Sequence, residues 1–201
     1  MALVKYNNNS ISAVTALDSV PSGSLVLLAT NTITSGVSSS SFTSNIDSTY
    51  DTYMFKFINI HPSANGENFG FQADTGTNTN YNQTITSTFF EATHGESGSG
   101  GAVSYKTAKD QAQGTGLQSL GQPNNNDDAS ISGTLHLFSP SNDTFVKHFI
   151  ARANLNENST QSDNLIGGYI NTATAITRVQ FKFSSGNIDS GVIKMYGLSK
   201  S

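Results

Sequence analysis

Short segments alternating with a period of two dominate this chain, and that pattern admits little besides β-sheet. Phe145–Arg152, Leu165–Ile170, Arg178–Phe183 and Val192–Leu198 are such runs, separated by Ser, Asn, Gly and Asp, the residues that favour turns. Ser24–Thr30, Ser40–Thr43, Tyr53–Ile60, Asn68–Ala73, Thr84–Phe90 and Ser130–Phe138 read the same way. In Tyr53–Ile60 the odd positions Tyr53, Phe55, Phe57 and Asn59 share one face, read as the core face. Met54, Lys56, Ile58 and Ile60 share the other. His61-Pro62 is expected to stop the strand, because proline cannot donate to the ladder. Ile131, Gly133, Leu135 and Leu137 alternate with Ser132, Thr134, His136 and Phe138. The periodicity predicts that Phe55, Phe57, Leu135, Leu137, Phe149, Phe181 and Phe183 share one core. Val192–Leu198 lies near the end of the sequence, so that end is expected to be paired into a sheet.

About ten short strands with no convincing amphipathic helix between them predict an all-β fold: an antiparallel β-sandwich, jelly-roll-like. Residues 23–201 are read as a single sandwich domain, a length that all-β domains often reach. Residues 91–129 are the exception, a long insertion loop rich in Gly and Asn, with room for one or two helical turns over Tyr105–Gln113. A connection of that length in a compact domain is usually functional or disordered.

The chain holds 29 Ser, 22 Thr, 21 Asn and 18 Gly among 201 residues, and only 12% is charged. Disorder is rejected, because disordered chains combine high net charge with few aromatics. Here the net charge is −4, and 12 Phe and 7 Tyr fall largely in the periodic segments. The expectation is a small core under a neutral surface of hydroxyls and amides. Such a surface suits symmetric packing, since few charges need desolvating when copies meet. The absence of cysteine excludes disulfides and thiolate chemistry. A pI near 5.4 and scattered Lys and Arg argue against nucleic acid as the main partner. No apolar run approaches the about 18 residues of a membrane-spanning helix, and Met1–Asn7 lacks a signal-peptide stretch.

Catalytic and metal patterns fail when checked. His61, His94, His136 and His148 lack H-E-x-x-H spacing. His136 and His148 are read as hydrogen-bonded strand residues in preference to a two-histidine site. Asp74–Asn80 loosely resembles a calcium loop but lacks its acidic residues and terminal Glu, so a hairpin turn fits better. Gly95-Glu96-Ser97-Gly98-Ser99 misses G-x-S-x-G at its fifth position, and Gly114-Thr115-Gly116 is followed by Ser119 where the third glycine of G-x-G-x-x-G belongs. Asp127 and Asp128 sit in a Gly/Asn-rich loop where solvation is the simpler expectation. No catalytic centre, cofactor or metal is expected. A ligand or partner loop is expected around Tyr81, His94, Tyr105 and Asn125, with Tyr81 and Tyr105 the best exposed tyrosines.

Residues 1–22 are polar and weakly periodic, and end at the turn signal Pro21-Ser22-Gly23. They read as a first strand or as an arm. As an arm, Leu3, Val4, Ile11, Val14 and Leu17 are too few for a core but suit grooves between copies.

The segment Phe42-Thr43-Ser44-Asn45-Ile46-Asp47-Ser48-Thr49-Tyr50-Asp51-Thr52-Tyr53, continuing to Pro62, resembles small virion structural proteins of tailed phages, many of them marine. Leu135-His136-Leu137-Phe138-Ser139-Pro140, Thr144–Phe149, Ser185–Gly197 and the opening Met1–Tyr6 are similar to that family too. The motifs are structural. The resemblance implies a virion component assembled in the host cytoplasm, either a capsid decoration or cement protein or a neck or tail accessory. Its partners would be other virion proteins and copies of itself, with a trimer as one symmetric option. The alternative is a host-receptor or glycan-binding domain of a tail fibre.

Overall fold

The computed structural model describes residues 24–98 and 100–198. The arm candidates Leu3, Val4, Ile11, Val14 and Leu17 lie outside the described residues, among which there are thirteen strands and no helix. In chain order the strands are β1 (Leu25–Ile33), β2 (Ser40–Phe42), β3 (Thr52–Pro62), β4 (Phe69–Thr75), β5 (Ile85–Gly95), β6 (Ala102–Tyr105) and β7 (Ala112–Gly114). They continue with β8 (Gln118–Gly121), β9 (Ile131–Phe138), β10 (Lys147–Asn156), β11 (Thr160–Ile170), β12 (Ile176–Phe183) and β13 (Ile188–Leu198). Each of the ten segments marked by periodicity falls wholly or mostly within a strand, though Phe145 and Val146 precede β10. Two antiparallel sheets form. The large one runs β1-β13-β3-β9-β10-β11-β5-β6, with β7 also on β5, and the small one runs β2-β12-β4-β8. This order gives an all-β sandwich and does not establish jelly-roll connectivity. The C-terminal strand β13 lies inside the large sheet, paired to β1 and β3.

The small sheet covers one face of the large one through phenylalanine. Phe42 on β2 meets Phe55 on β3 at 5.4 Å, Phe57 meets Phe69 on β4 at 5.4 Å, and Phe71 meets Phe149 on β10 at 5.0 Å, all edge-on. Phe181 on β12 lies within 6.5 Å of Phe42, Phe55, Phe57, Phe69 and Phe71. The seven residues expected to share the core are all buried in one cluster.

Two local expectations on β3 are corrected. The strand does not stop before Pro62 but runs through it, with Pro62 opposite Ile188. Asn59 does not face the core. It is exposed at φ 50°, in a bulge between Phe57 and Ile60. The extra residue reverses the phase, so Ile60 is buried although Met54, Lys56 and Ile58 are not. Gly191 faces this bulge at φ 134°, where a Cβ would lie 2.7 Å from the Ile60 side chain.

Residues 91–129 are also corrected: they are neither one long loop nor partly helical. Glu91 to Gly95 extend β5, and β6, β7 and β8 follow. Within Tyr105–Gln113, residues 106–111 make a single turn between β6 and β7, Lys109 N–H to Lys106 C=O at 3.0 Å. Polar side chains hold this region. Ser87 Oγ donates to Gln118 Oε1 at 2.6 Å, and Gln118 Nε2 donates to the Lys109 carbonyl at 3.2 Å. Buried Glu91 receives Lys106 at 2.7 Å and Lys109 at 3.4 Å. Asp74–Asn80 is a turn, but it joins β4 and β5 of different sheets, so it is not a hairpin. The Asp74 carboxylate is buried and accepts from Thr75 N–H, Tyr81 N–H and Gln83 Nε2.

Candidate functional site

The small sheet covers one face of the large sheet. The outer face carries side chains set in rows by the strand register. One row reads Leu27, Tyr196, Met54, His136, Ile150, Gly167, Thr88. The next reads Thr30, Lys194, Lys56, Thr134, Arg152, Leu165, Phe90, Tyr105. Ile150 is 53% exposed, Leu165 51%, Phe90 44% and Tyr105 43%. Apolar side chains this open, adjacent on four neighbouring strands, form a patch rather than isolated exceptions.

A groove of about 420 Å³ opens in this patch, between Ile150, Leu165, Phe90, Thr88 and Arg152. Gly167 is part of its lining. A Cβ added there would meet nothing closer than Thr88 Oγ1 at 3.9 Å. Phe90 and Tyr105 pack edge to face at 5.2 Å. The Tyr105 hydroxyl donates to Asp110 at 2.5 Å, and that bond raises its pKa. Arg152 donates to Asp163 through Nη2 at 2.6 Å and Nε at 3.0 Å. This bidentate bond raises the Arg152 pKa, and its charge is already answered within the face. His136 lies over Phe138 with centroids 6.5 Å apart, and burial lowers its pKa. The face is therefore largely apolar and locally neutral around the groove.

The four ligand-loop candidates are not gathered into one loop site. Tyr105 lies on the patch. His94 is exposed on the same face of β5, four residues beyond Phe90. Tyr81 is half-buried beside Asp74, with φ 47°. Asn125 is exposed in a turn that Asn124 N–H ties to the Asn156 carbonyl at 3.1 Å. Phe90, Ile150, Leu165 and Arg152 were not singled out from the sequence. For the three apolar ones the signal is a pair of adjacent apolar residues, Phe89-Phe90, Phe149-Ile150 or Leu165-Ile166, which in a strand must place one member outside. His136 and His148 do lie on paired strands, but His136 stands opposite Ile150. Among the described residues no three His, Asp or Glu side chains come together as a metal site.

Fold and face together define a β-sandwich with an open, apolar-patched sheet. Comparison with protein families, curated proteins and solved structures finds no match to this chain.

Proposed function

We propose that this chain is a non-enzymatic structural protein of a tailed-phage virion, which decorates or reinforces the particle through symmetric protein contacts. Its place is the capsid surface or the neck and tail, among other virion proteins and copies of itself. The likeness of its sequence to small virion proteins supports the particle. The observation that carries the mode of action is the exposed patch of Ile150, Leu165, Phe90 and Tyr105 on the outer face of the large sheet.

The size of that face fits the role. Eight strands at about 4.8 Å spacing are about 34 Å wide, and three rows of side chains span about 20 Å, giving about 700 Å². A stable protein interface covers about 800 Å² on each partner. Docking over the groove covers an arginine already paired with Asp163, and repeated copies on a particle make weak single contacts sufficient. Tyr105 with Phe90, beside the Arg152–Asp163 pair, favours a second reading, a host-glycan site. The apolar lining of the groove favours a protein side chain.

The test is incorporation. Ile150→Asp with Leu165→Asp should leave the protein folded, because both side chains are about half exposed, and should remove the protein from purified particles. Absence of the unmodified protein from particles would refute the virion reading. Normal incorporation of the double variant would refute the face. Binding of the unmodified protein to a glycan array, lost in the double variant, would favour the second reading.

A further inference from the structure

We propose that two copies of this chain meet face to face on the outer surface of the large sheet, about a two-fold axis that crosses β13 and β3 near Val192 and Ile58. This rests on the assembly reading above, and it names the partner of that face. Three observations lead to it.

The first is an unanswered pair of cations. Lys194 on β13 stands directly opposite Lys56 on β3, with Thr30 and Thr134 on either side. Like charges placed directly opposite destabilise a sheet. Among the described residues neither lysine pairs with a carboxylate, because Arg152 takes Asp163 and the other ion pairs lie at Glu91 and Glu157.

The second is an unanswered acidic corner on the same face. Asp189 on β13, with Asp127 and Asp128 just before β9, borders one hollow together with Asn59, His61 and Ser190. All three aspartates are exposed, and none has an ion-pair partner among the described residues. The corner adjoins the outer face. Asn59 N–H donates to Ser132 Oγ at 2.9 Å, and Asp128 shares a second hollow with Ser132 and Asn154. Asn154 alternates outward with Arg152 and Ile150 along β10.

The third is arrangement, which selects a second copy over a foreign partner. Lysines and aspartates stand at different heights along the same strands. Asp189 is five residues from Lys194, about 16 Å along an extended strand. The strands hold them apart, so the chain cannot close these pairs within itself. Between the two heights Val192 and Ile58 stand opposite each other, both half-buried. Turning a second copy over about an axis at that level reverses its strands and exchanges the heights. Each lysine pair then faces the other copy's aspartates, and Val192 and Ile58 meet their counterparts at the centre. That reciprocity is what a two-fold interface requires. A stack without the reversal would set lysine on lysine.

Sedimentation of the full-length chain tests the contact. A dimer is expected, its dissociation constant rising about tenfold or more as the screening length falls from about 10 Å at about 0.1 M salt to about 3 Å at about 1 M. Lys56→Glu with Lys194→Glu should give a folded monomer by circular dichroism, as should Asp127→Lys, Asp128→Lys and Asp189→Lys together. Mixing the two reversed proteins should restore a dimer holding one copy of each. An unmodified chain that stays monomeric would overturn the proposal. So would association that grows past two copies with concentration, or folded reversed proteins that fail to pair when mixed. Should a reversed protein not fold, the unmodified chain decides, and a dimer indifferent to salt overturns the contact. Particle incorporation is scored separately. Dimers in solution without incorporation refute the virion reading alone, and incorporation of a chain that is monomeric in solution refutes this contact alone.

Discussion

Phe181→Ala tests the architecture most directly. Phe181 is fully buried on β12 and has five phenylalanine neighbours on β2, β3 and β4, with centroids between 5.5 and 6.5 Å. Truncating a buried phenylalanine costs about 3–5 kcal/mol. Each aromatic pair adds about 0.5–1.5 kcal/mol beyond area burial, though such terms do not sum. The crowding of rings here places the expected loss at the upper end, about 4–5 kcal/mol. For a chain of this length each kcal/mol moves the melting temperature by about 2–4 °C, so a fall of roughly 8–20 °C is expected. The chain has no tryptophan, so urea unfolding is followed by far-ultraviolet circular dichroism. The midpoint should fall with the slope unchanged. Phe145→Ala is the control, because Phe145 is 68% exposed. A loss below about 1 kcal/mol for Phe181→Ala, or one no larger than the control, would refute the packing of the two sheets described above.

Neighbouring glycines on β11 should respond in opposite ways. Gly168→Ala puts a Cβ 2.5 Å from the Thr86 carbonyl and 2.8 Å from Phe149, and should lower the melting temperature, whereas Gly167→Ala should not. Equal melting of the two variants would show that the faces of β11 are misassigned. Glu91→Gln removes the charge that Lys106 and Lys109 share. A cost of about 1–3 kcal/mol in urea unfolding is expected, since both lysines still reach water. Unchanged unfolding would remove Glu91 from the account of how residues 106–121 are held. Lys147 is fully buried and donates to the Phe145 and Thr172 carbonyls at 2.7 and 3.1 Å, and burial lowers its pKa from 10.5. The unfolded chain then binds this proton more tightly than the folded one. The contribution to stability is lowest below the folded pKa and rises as pH climbs toward the unfolded value. Lys147→Met should flatten that alkaline rise, and parallel stability–pH curves for the two proteins would contradict it.

The large elements were legible because their side chains keep strict alternation. On β10, Phe149, Ala151, Ala153 and Leu155 are buried and His148, Ile150, Arg152 and Asn154 are exposed, as a period of two requires. Where a bulge intervenes the same rule misleads. Nothing local in Phe57-Ile58-Asn59-Ile60 announces the extra residue, which shows only in the pairing with Gly133 and Ile131. Residues 106–121 were illegible for a different reason. Gln111 and Gln118 earn their places by bonding to carbonyls of Leu117, Lys109 and Ser119, contacts that leave no hydrophobic period to read. The outer patch was half legible. Phe89-Phe90 requires that one ring face out, but the meeting of Phe90 with Leu165 depends on a pairing across more than seventy residues of chain.

The free edge of β1 has a bearing on how the protein behaves in concentrated solution. Among the described residues β1 pairs only with β13, and no described strand covers its other side. Its sequence, LVLLATNTI, holds no charge and no proline, the two commonest guards on such an edge. One guard is present. The register shifts between Leu27 and Ala29, so Leu28 is the extra residue that breaks the edge into two short stretches. Loss of that one residue would leave a flat, uncharged ribbon that other chains could extend strand by strand. The bulge at Leu28 thus guards the edge as well as shaping it.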